Sequence, residues 1–202
     1  MASFRRAMGH RRESLAGLAL LLAVAAPGVA APPEASDDAP PGSITFVGRN
    51  ALATARGSFH IWRFTQVQID RGRPEAGVVE IEVEVGSLDT GIDRRDAHLR
   101  SDDFFDVERH PKAMVRVRDA RLQGTSPDGH PLYAVRFDLE IRGVAKTVEG
   151  SFEVLGEHPP EVRGALVLNR RDFGVGGPHR RWNPMSVREE VPVEFHAVFA
   201  EE

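Results

Sequence analysis

From Val79 to Val85 the chain reads VEIEVEV, four aliphatic residues alternating strictly with three glutamates. A helix would scatter these seven side chains around its circumference. Only an extended strand puts Val79, Ile81, Val83 and Val85 on one face and Glu80, Glu82 and Glu84 on the other. The same period sets Phe137, Leu139 and Ile141 against Asp138 and Glu140, and Val191, Val193 and Phe195 against Pro192, Glu194 and His196. Weaker alternation runs through residues 43–47, 54–59, 64–70, 114–122, 146–155 and 162–168. Turn signals separate these runs: Arg71-Gly72-Arg73-Pro74, Ser126-Pro127-Asp128-Gly129, Arg142-Gly143 and His158-Pro159-Pro160. Strands with one apolar face and short turns build an antiparallel sheet. About eight of them, without interleaved helices, make a barrel or a sandwich. Closure removes sticky edges, so the expectation is all-β, an antiparallel barrel of about eight strands.

One segment breaks the pattern. Residues 89–111, DTGIDRRDAHLRSDDFFDVERHP, crowd acids, arginines and two histidines together. Asp93 is expected to cap a helical turn through Leu99, and Ser101 a second one, until Pro111 forbids continuation. Leu99, Phe104 and Phe105 would pack onto the sheet. The set Asp96, His98 and His110 has the chemistry of a 2-His-1-carboxylate metal site, which leaves a metal-dependent enzyme as an alternative. The gap from His98 to His110 matches no recognised ligand spacing. The other reading is structural, with Asp96 and Asp106 accepting from backbone amides or pairing with Arg95, Arg100 or Arg142. No Ser-His-Asp set, phosphate loop or paired-carboxylate motif stands out.

The N-terminus carries a targeting pattern. Arg5, Arg6, Arg11 and Arg12 precede an apolar run from Leu15 to Ala26 and the small residues Gly28-Val29-Ala30. This reads as a signal peptide over residues 1–30, too short to span a membrane as a helix. Arg11-Arg12-Glu13-Ser14-Leu15 faintly resembles a twin-arginine signal, with Ser14 where a bulky apolar residue is usual. Residues 31–42, APPEASDDAPPG, cannot bury a core and read as a flexible linker to a single domain over 43–200. Losing thirty residues with four Arg and one Glu takes the formal net charge from −4 to −7. So acidic a chain is a poor candidate for nucleic acid or an anionic membrane surface. It has no Cys, which excludes disulfides and thiolate chemistry. The expected location is periplasmic or secreted.

The motifs Leu88-Asp89-Thr90, Arg95 to Ser101 (RDAHLRS), Phe104-Phe105-Asp106 and His110-Pro111 resemble the signature of the YceI-like family. So do Leu139 to Lys146 (LEIRGVAK) and Leu168 to Val175 (LNRRDFGV), in family order and spacing, with Ser43 to Phe46 fitting the first strand. The resemblance spans roughly residues 42 to 199. It implies an eight-stranded lipocalin-like barrel with short helical turns between two strands and a long apolar tunnel. It also implies a polyisoprenoid ligand, of quinone or polyprenyl type, and export to the periplasm. Some relatives dimerise, so a homodimer is allowed. Phe137 stands where the family usually has Gly, Glu140 replaces a usual Thr, and the loop from Gly176 to Pro184 is unusually basic and carries Trp182. The Gly-x-Trp that opens ordinary lipocalin barrels is missing near the first strand.

A lipid tunnel needs inward apolar side chains and no buried unpaired polar groups. The candidate lining is Phe46, Phe59, Phe64, Val79, Ile81, Val83, Phe104, Phe105, Val115, Val117, Leu139, Ile141, Phe152, Leu166 and Phe173. Alternation alone does not separate such a lining from a filled core; the resemblance favours the lining. Head-group candidates are Arg170, Arg171, Arg180, Arg181 and Trp182, with His179 beside them, since Arg forks match phosphate oxygens. An alternative leaves them as a solvated loop. The expected function is an exported carrier or sequestering protein for a long isoprenoid lipid, with no catalysis, no other cofactor, no nucleic-acid partner and no stable membrane insertion. A stress-response interaction module, with the barrel as scaffold, is the remaining alternative.

Overall fold

A computed structural model describes residues 40–69 and 73–199; the expected signal peptide and most of the linker lie outside the described residues. Ten strand segments follow one another, all paired antiparallel: β1 (Gly42–Arg49), β2 (Thr54–Phe59), β3 (Trp62–Gln68), β4 (Val78–Glu84), β5 (Leu88–Asp89), β6 (Lys112–Thr125), β7 (Pro131–Ile141), β8 (Val144–Glu157), β9 (Pro160–Asn169) and β10 (Glu190–Val198). A single α-helix, α1 (Asp93–Arg100), lies between β5 and β6.

The ten segments amount to eight strands. β2 and β3 are two halves of one strand bent at His60 and Ile61, and β4 and β5 are two halves of one interrupted by a 3₁₀ turn at Val85–Ser87. The halves match: β2 pairs with β5, and β3 with β4. Across the break the Ile61 amide donates to Ser87 Oγ (3.1 Å) and the Glu84 amide to the Ile61 carbonyl (3.0 Å). Each remaining strand pairs with the next, and β10 returns to pair with β1, so the meander closes into a barrel. The alternating sequence therefore leads to the expected architecture, except that Val85 leaves the strand for the 3₁₀ turn and is buried there.

The two faces divide as the period demands. Val79, Ile81 and Val83 of β4 sit opposite Val117, Val115 and Ala113 of β6. Outside, Glu80 meets Arg116 at 2.8 Å, and Glu82 meets both Arg63 (2.8 Å) and Lys112 (2.9 Å). Within, one cluster buries Val135, Phe137, Leu139, Leu166, Phe173 and Val175, and a second buries Trp62, Val83 and Ala197. Phe137 and Phe195 reach toward each other across β8 and β9 and meet edge to face at 5.7 Å. Two glycines make room for them. A Cβ on Gly150 would lie 2.8 Å from the Phe137 ring, and one on Gly164 would lie 2.3 Å from the Phe195 ring.

The charged segment forms one helix, where two turns were expected. Ile92, not Asp93, takes the N-cap position of α1, and Asp93 is its first helical residue. Ser101 ends this helix instead of starting another: its Oγ donates to the His98 carbonyl (2.8 Å). The amides of Phe104 and Asp106 then close onto the Ser101 carbonyl, making turns that a left-handed Asp106 (φ 52°) redirects into β6.

Arg118 grips Asp138 with Nε (2.5 Å) and Nη2 (3.0 Å), and Thr147 Oγ1 adds a third bond (2.6 Å). The Arg118 hydrogen bonds, then that of Thr147, hold the Asp138 carboxyl below its usual range. A depressed folded-state pKa contributes stability above the unfolded value of about 3.9 that is lost as pH falls through the folded pKa. The urea midpoint is therefore expected to fall as pH drops below about 4, with a shallower fall in Asp138→Asn, read by tryptophan fluorescence across pH.

Candidate functional site

One end of the barrel is filled and the other holds a cavity of about 670 Å³. An eight-stranded barrel is wide enough to be packed by its own side chains or to hold one small ligand; here both occur along a single interior. The walls come from the ends of β1 (Phe46, Gly48, Arg49), β2 (Ala55, Phe59), β7 (Ile141), β9 (Leu168) and β10 (Val191, Val193). The cap supplies Arg95, His98 and Leu99 of α1, the turn residues Phe104 and Phe105, Arg170 and Phe173, and Val175, Gly177, Pro178, Met185, Ser186 and Val187 of the following loop. Asn50, Ala53 and Thr90 complete it.

The cavity stops at one level on each strand. Val191 and Val193 of β10 face it, and Phe195, next on that face, does not; Leu168 does and Leu166 does not; Ile141 does and Leu139 does not. Phe195, Leu166 and Leu139, packed with Phe137, form its floor. Phe105 meets Phe59 edge-on at 6.3 Å, and Phe46 lies 5.3 Å from Phe59, so aromatic rings line one side.

Arginines hold the cap together. Arg170, 5 % exposed, donates from Nε to the Arg188 carbonyl (2.9 Å), from Nη1 to Val175 (2.6 Å), and from Nη2 to Gly177 (2.8 Å) and Val187 (2.7 Å). Four of its five N–H donors are used on backbone. Burial, and then the nearby Arg171 charge, lower its pKa against the pull of Glu189. Arg142 bonds the carbonyls of Phe104 (2.7 Å), Gly174 (2.6 Å) and Asp102 (2.7 Å). Arg100 reaches Gly86 (2.8 Å) and Leu88, and Arg95 binds the Thr90 hydroxyl and carbonyl, both at 2.7 Å.

The predicted lining residues separate along the barrel axis. Phe46, Phe59, Phe104, Phe105, Ile141 and Phe173 line the cavity. Leu139 and Leu166 are buried in its floor, with Val115, Val117 and Phe152 packed against the same cluster. Val83, with Phe64 and Ile81, belongs to the second cluster, and Val79 pairs with Val67 and Val117 away from the cavity. Ala55, Leu168, Val191 and Val193 also line the cavity, although they stand outside the candidate lining. Their inward face was legible; their height along the barrel was not.

Of the head-group candidates, Arg170 faces the cavity, but its fork is committed to carbonyls, and Arg171 donates to the Gly176 carbonyl. Arg180, Arg181 and Trp182 are exposed beyond the lining, with Arg180 5.6 Å over the Trp182 ring. Asp96, His98 and His110 do not converge. Asp96, 4 % exposed, accepts from the Thr90 amide (3.1 Å) and from its hydroxyl. Burial pushes its pKa up, but these bonds and the charges of Arg100 and Arg95 outweigh burial and hold it low. His98 faces Asp103 (3.6 Å), and His110 packs by Gly143. Asp106 pairs with Arg109 (2.7 Å) and lies 3.8 Å from Arg142. Among the described residues no group of three or more His, Asp or Glu is placed to hold a metal ion.

The model of one family, described as the YceI-like domain, matches residues 38–199. A UPF0312 protein of Pseudomonas savastanoi pv. phaseolicola is 30% identical over 149 residues, 70% of this chain and 72% of its own. BcnA of Burkholderia cenocepacia superposes with a TM-score of 0.66 at 24% identity, covering 79% of this chain and 96% of its own. A polyisoprenoid binding domain from Saccharophagus degradans gives 0.58 at 18% identity, over 82% and 97%. These solved structures share the fold described above.

Arg170→Met keeps an unbranched apolar stem and removes every donor. Its carbonyl partners then lose a charged donor inside the cap, a cost on the order of 3 kcal/mol or more. The expected outcome is that loss in urea unfolding, with proteolytic cleavage appearing first within residues 174–188.

Proposed function

This chain belongs to the YceI-like family, and on that premise we propose that it is an exported protein that carries or sequesters an isoprenoid lipid, of quinone or polyprenyl type. The prenyl chain lies in the cavity beneath the cap. The observation that carries this reading is the cavity itself, walled by Phe46, Phe59, Phe105, Ile141, Phe173 and Val193 and floored by apolar residues. Its volume is that of a site for one ligand. Burial contributes about 0.8 kcal/mol per CH₂, so each five-carbon unit adds on the order of 3 kcal/mol before ordering costs. The polyisoprenoid binding domain among the structural relatives supports the same ligand class. The basic and apolar N-terminal pattern supports export to the periplasm. Binding, not catalysis, is the activity proposed.

Protein made in bacteria is expected to release a prenyl lipid on organic extraction, identified by mass spectrometry. An empty preparation that also fails to take up prenols of any length overturns the reading. Ala55→Phe, which fills the cavity from a strand position, is expected to abolish this lipid while the unfolding midpoint holds.

The floor sets how deep a chain can reach. Phe195→Leu is expected to shift the bound population toward longer prenyl chains, read in the same extracts, with destabilisation well below the 3–5 kcal/mol typical of Phe→Ala. An unchanged length distribution removes Phe195 as the stop.

A further inference from the structure

The two loops that frame the cavity carry a surface that the barrel itself does not use. Trp182 is 76 % exposed, Leu52 70 % and Met185 63 %, and Met185 also lines the cavity. Around them stand Arg49, Arg180, Arg181 and Arg188, all exposed. Residues 48–56 and 176–188 contain no Asp or Glu, in a chain whose net charge is −4. Positive charge and large apolar side chains are thus gathered at one end of an otherwise acidic molecule.

The loops are built to hold this arrangement. The Ala51 amide donates to the Pro184 carbonyl (3.1 Å) and the Arg188 amide to the Arg49 carbonyl (2.7 Å), so the two loops are tied together. Asn50 Oδ1 accepts from the amides of Leu52 (2.8 Å) and Ala53 (2.7 Å), setting the tip of one. Asn183 Oδ1 accepts from the Met185 amide (3.0 Å), and Ser186 Oγ from that of Arg180 (2.8 Å), setting the other. Trp182 is therefore held outward with Arg180 across its face, and it does not fold over the cavity.

We infer that these two loops dock the barrel, cavity end first, onto an anionic phospholipid bilayer. An amphipathic Trp beside Arg matches the headgroup level of a membrane, where the ring meets acyl chains and the guanidinium meets phosphate. Four exposed arginines outnumber the Glu189 carboxylate, which is engaged by the His179 amide (3.2 Å), and this net positive end finds its complement in an anionic lipid surface. The placement also gives an apolar ligand a route between bilayer and cavity that avoids water, and in this it rests on the proposed function. It reverses the expectation drawn from net charge: the average over the chain is acidic, and the end that would face the membrane is not.

Trp62 and Trp182 are the two tryptophans of the chain, and Trp62 is buried with its indole N–H unpartnered. Trp62→Phe leaves Trp182 as the single reporter. With vesicles of phosphatidylglycerol and phosphatidylcholine in equal parts, Trp182 emission is expected to shift to the blue and the protein to sediment with the vesicles. Pure phosphatidylcholine should bind more weakly, and added salt should release the protein. Replacing Arg180 and Arg181 with Glu should weaken binding about tenfold or more, and Trp182→Ala with Leu52→Ser should abolish it. If Trp62→Phe does not fold, sedimentation of the unaltered protein and quenching by brominated lipid give the same reading. No binding to either vesicle, equal binding to both, or indifference to the Arg180 and Arg181 changes overturns the proposal. A blue shift that grows with protein concentration and no vesicles assigns the face to a second copy of the chain and also overturns it. Lipid in the extracts without vesicle binding defeats only the docking; vesicle binding by a barrel that takes up no prenyl chain defeats only the carrier reading.

Discussion

A closed ladder satisfies the backbone of a barrel wall but not that of whatever covers its end. The cap here is largely irregular chain whose carbonyls have no neighbouring strand, and buried carbonyls need donors. Arginine forks supply them. Arg170, Arg142, Arg100 and Arg95 together reach carbonyls of the 3₁₀ turn, of Thr90 ahead of α1, of the Phe104 turn and of the loop after β9. A planar guanidinium spans several acceptors at fixed angles, which a lysine cannot do. These bonds tie the cap segments to one another around the cavity.

This dependence explains what sequence could and could not disclose. Period-two alternation located each strand because an inward Val beside an outward Glu is a strong local signal. It did not show where a strand breaks: β4 carries its alternation through Val85, and only Gly86 with Ser87 and the partner bend at His60 make the 3₁₀ turn. Nor did it show height along the barrel, so Leu139 and Ile141 read alike, although one is floor and the other wall. Arg170 and Arg171 looked like phosphate ligands because a fork suits phosphate and carbonyl oxygens equally. Which one it meets depends on residues up to eighteen positions away. The cluster of Asp96, His98 and His110 had the residue types of a metal set, but Asp96 and His98 on α1 and His110 beyond it meet different partners.

The interior is partitioned by what two glycines lack. Gly150 and Gly164 leave gaps in β8 and β9 that the rings of Phe137 and Phe195 occupy. Side chains there would push both rings into the lumen or out of register. Their edge-to-face meeting bridges β7 to β10 over β8 and β9, so one sequence builds a packed end and a hollow end within a continuous wall. Packing in the filled half contributes the stability that lets the other half stay open.

The wall is also uneven around its circumference. β1 holds β10 through five residue pairs, from Gly42 with Ala197 to Phe46 with Val193, while β7 and β8 share ten. A hoop yields at its narrowest joint. Local opening costs least where fewest ladder bonds must part, and this joint ends at Phe46 and Val193, both in the cavity wall. The joint where the meander closes on itself is thus the seam of the ring, and it runs alongside the ligand chamber.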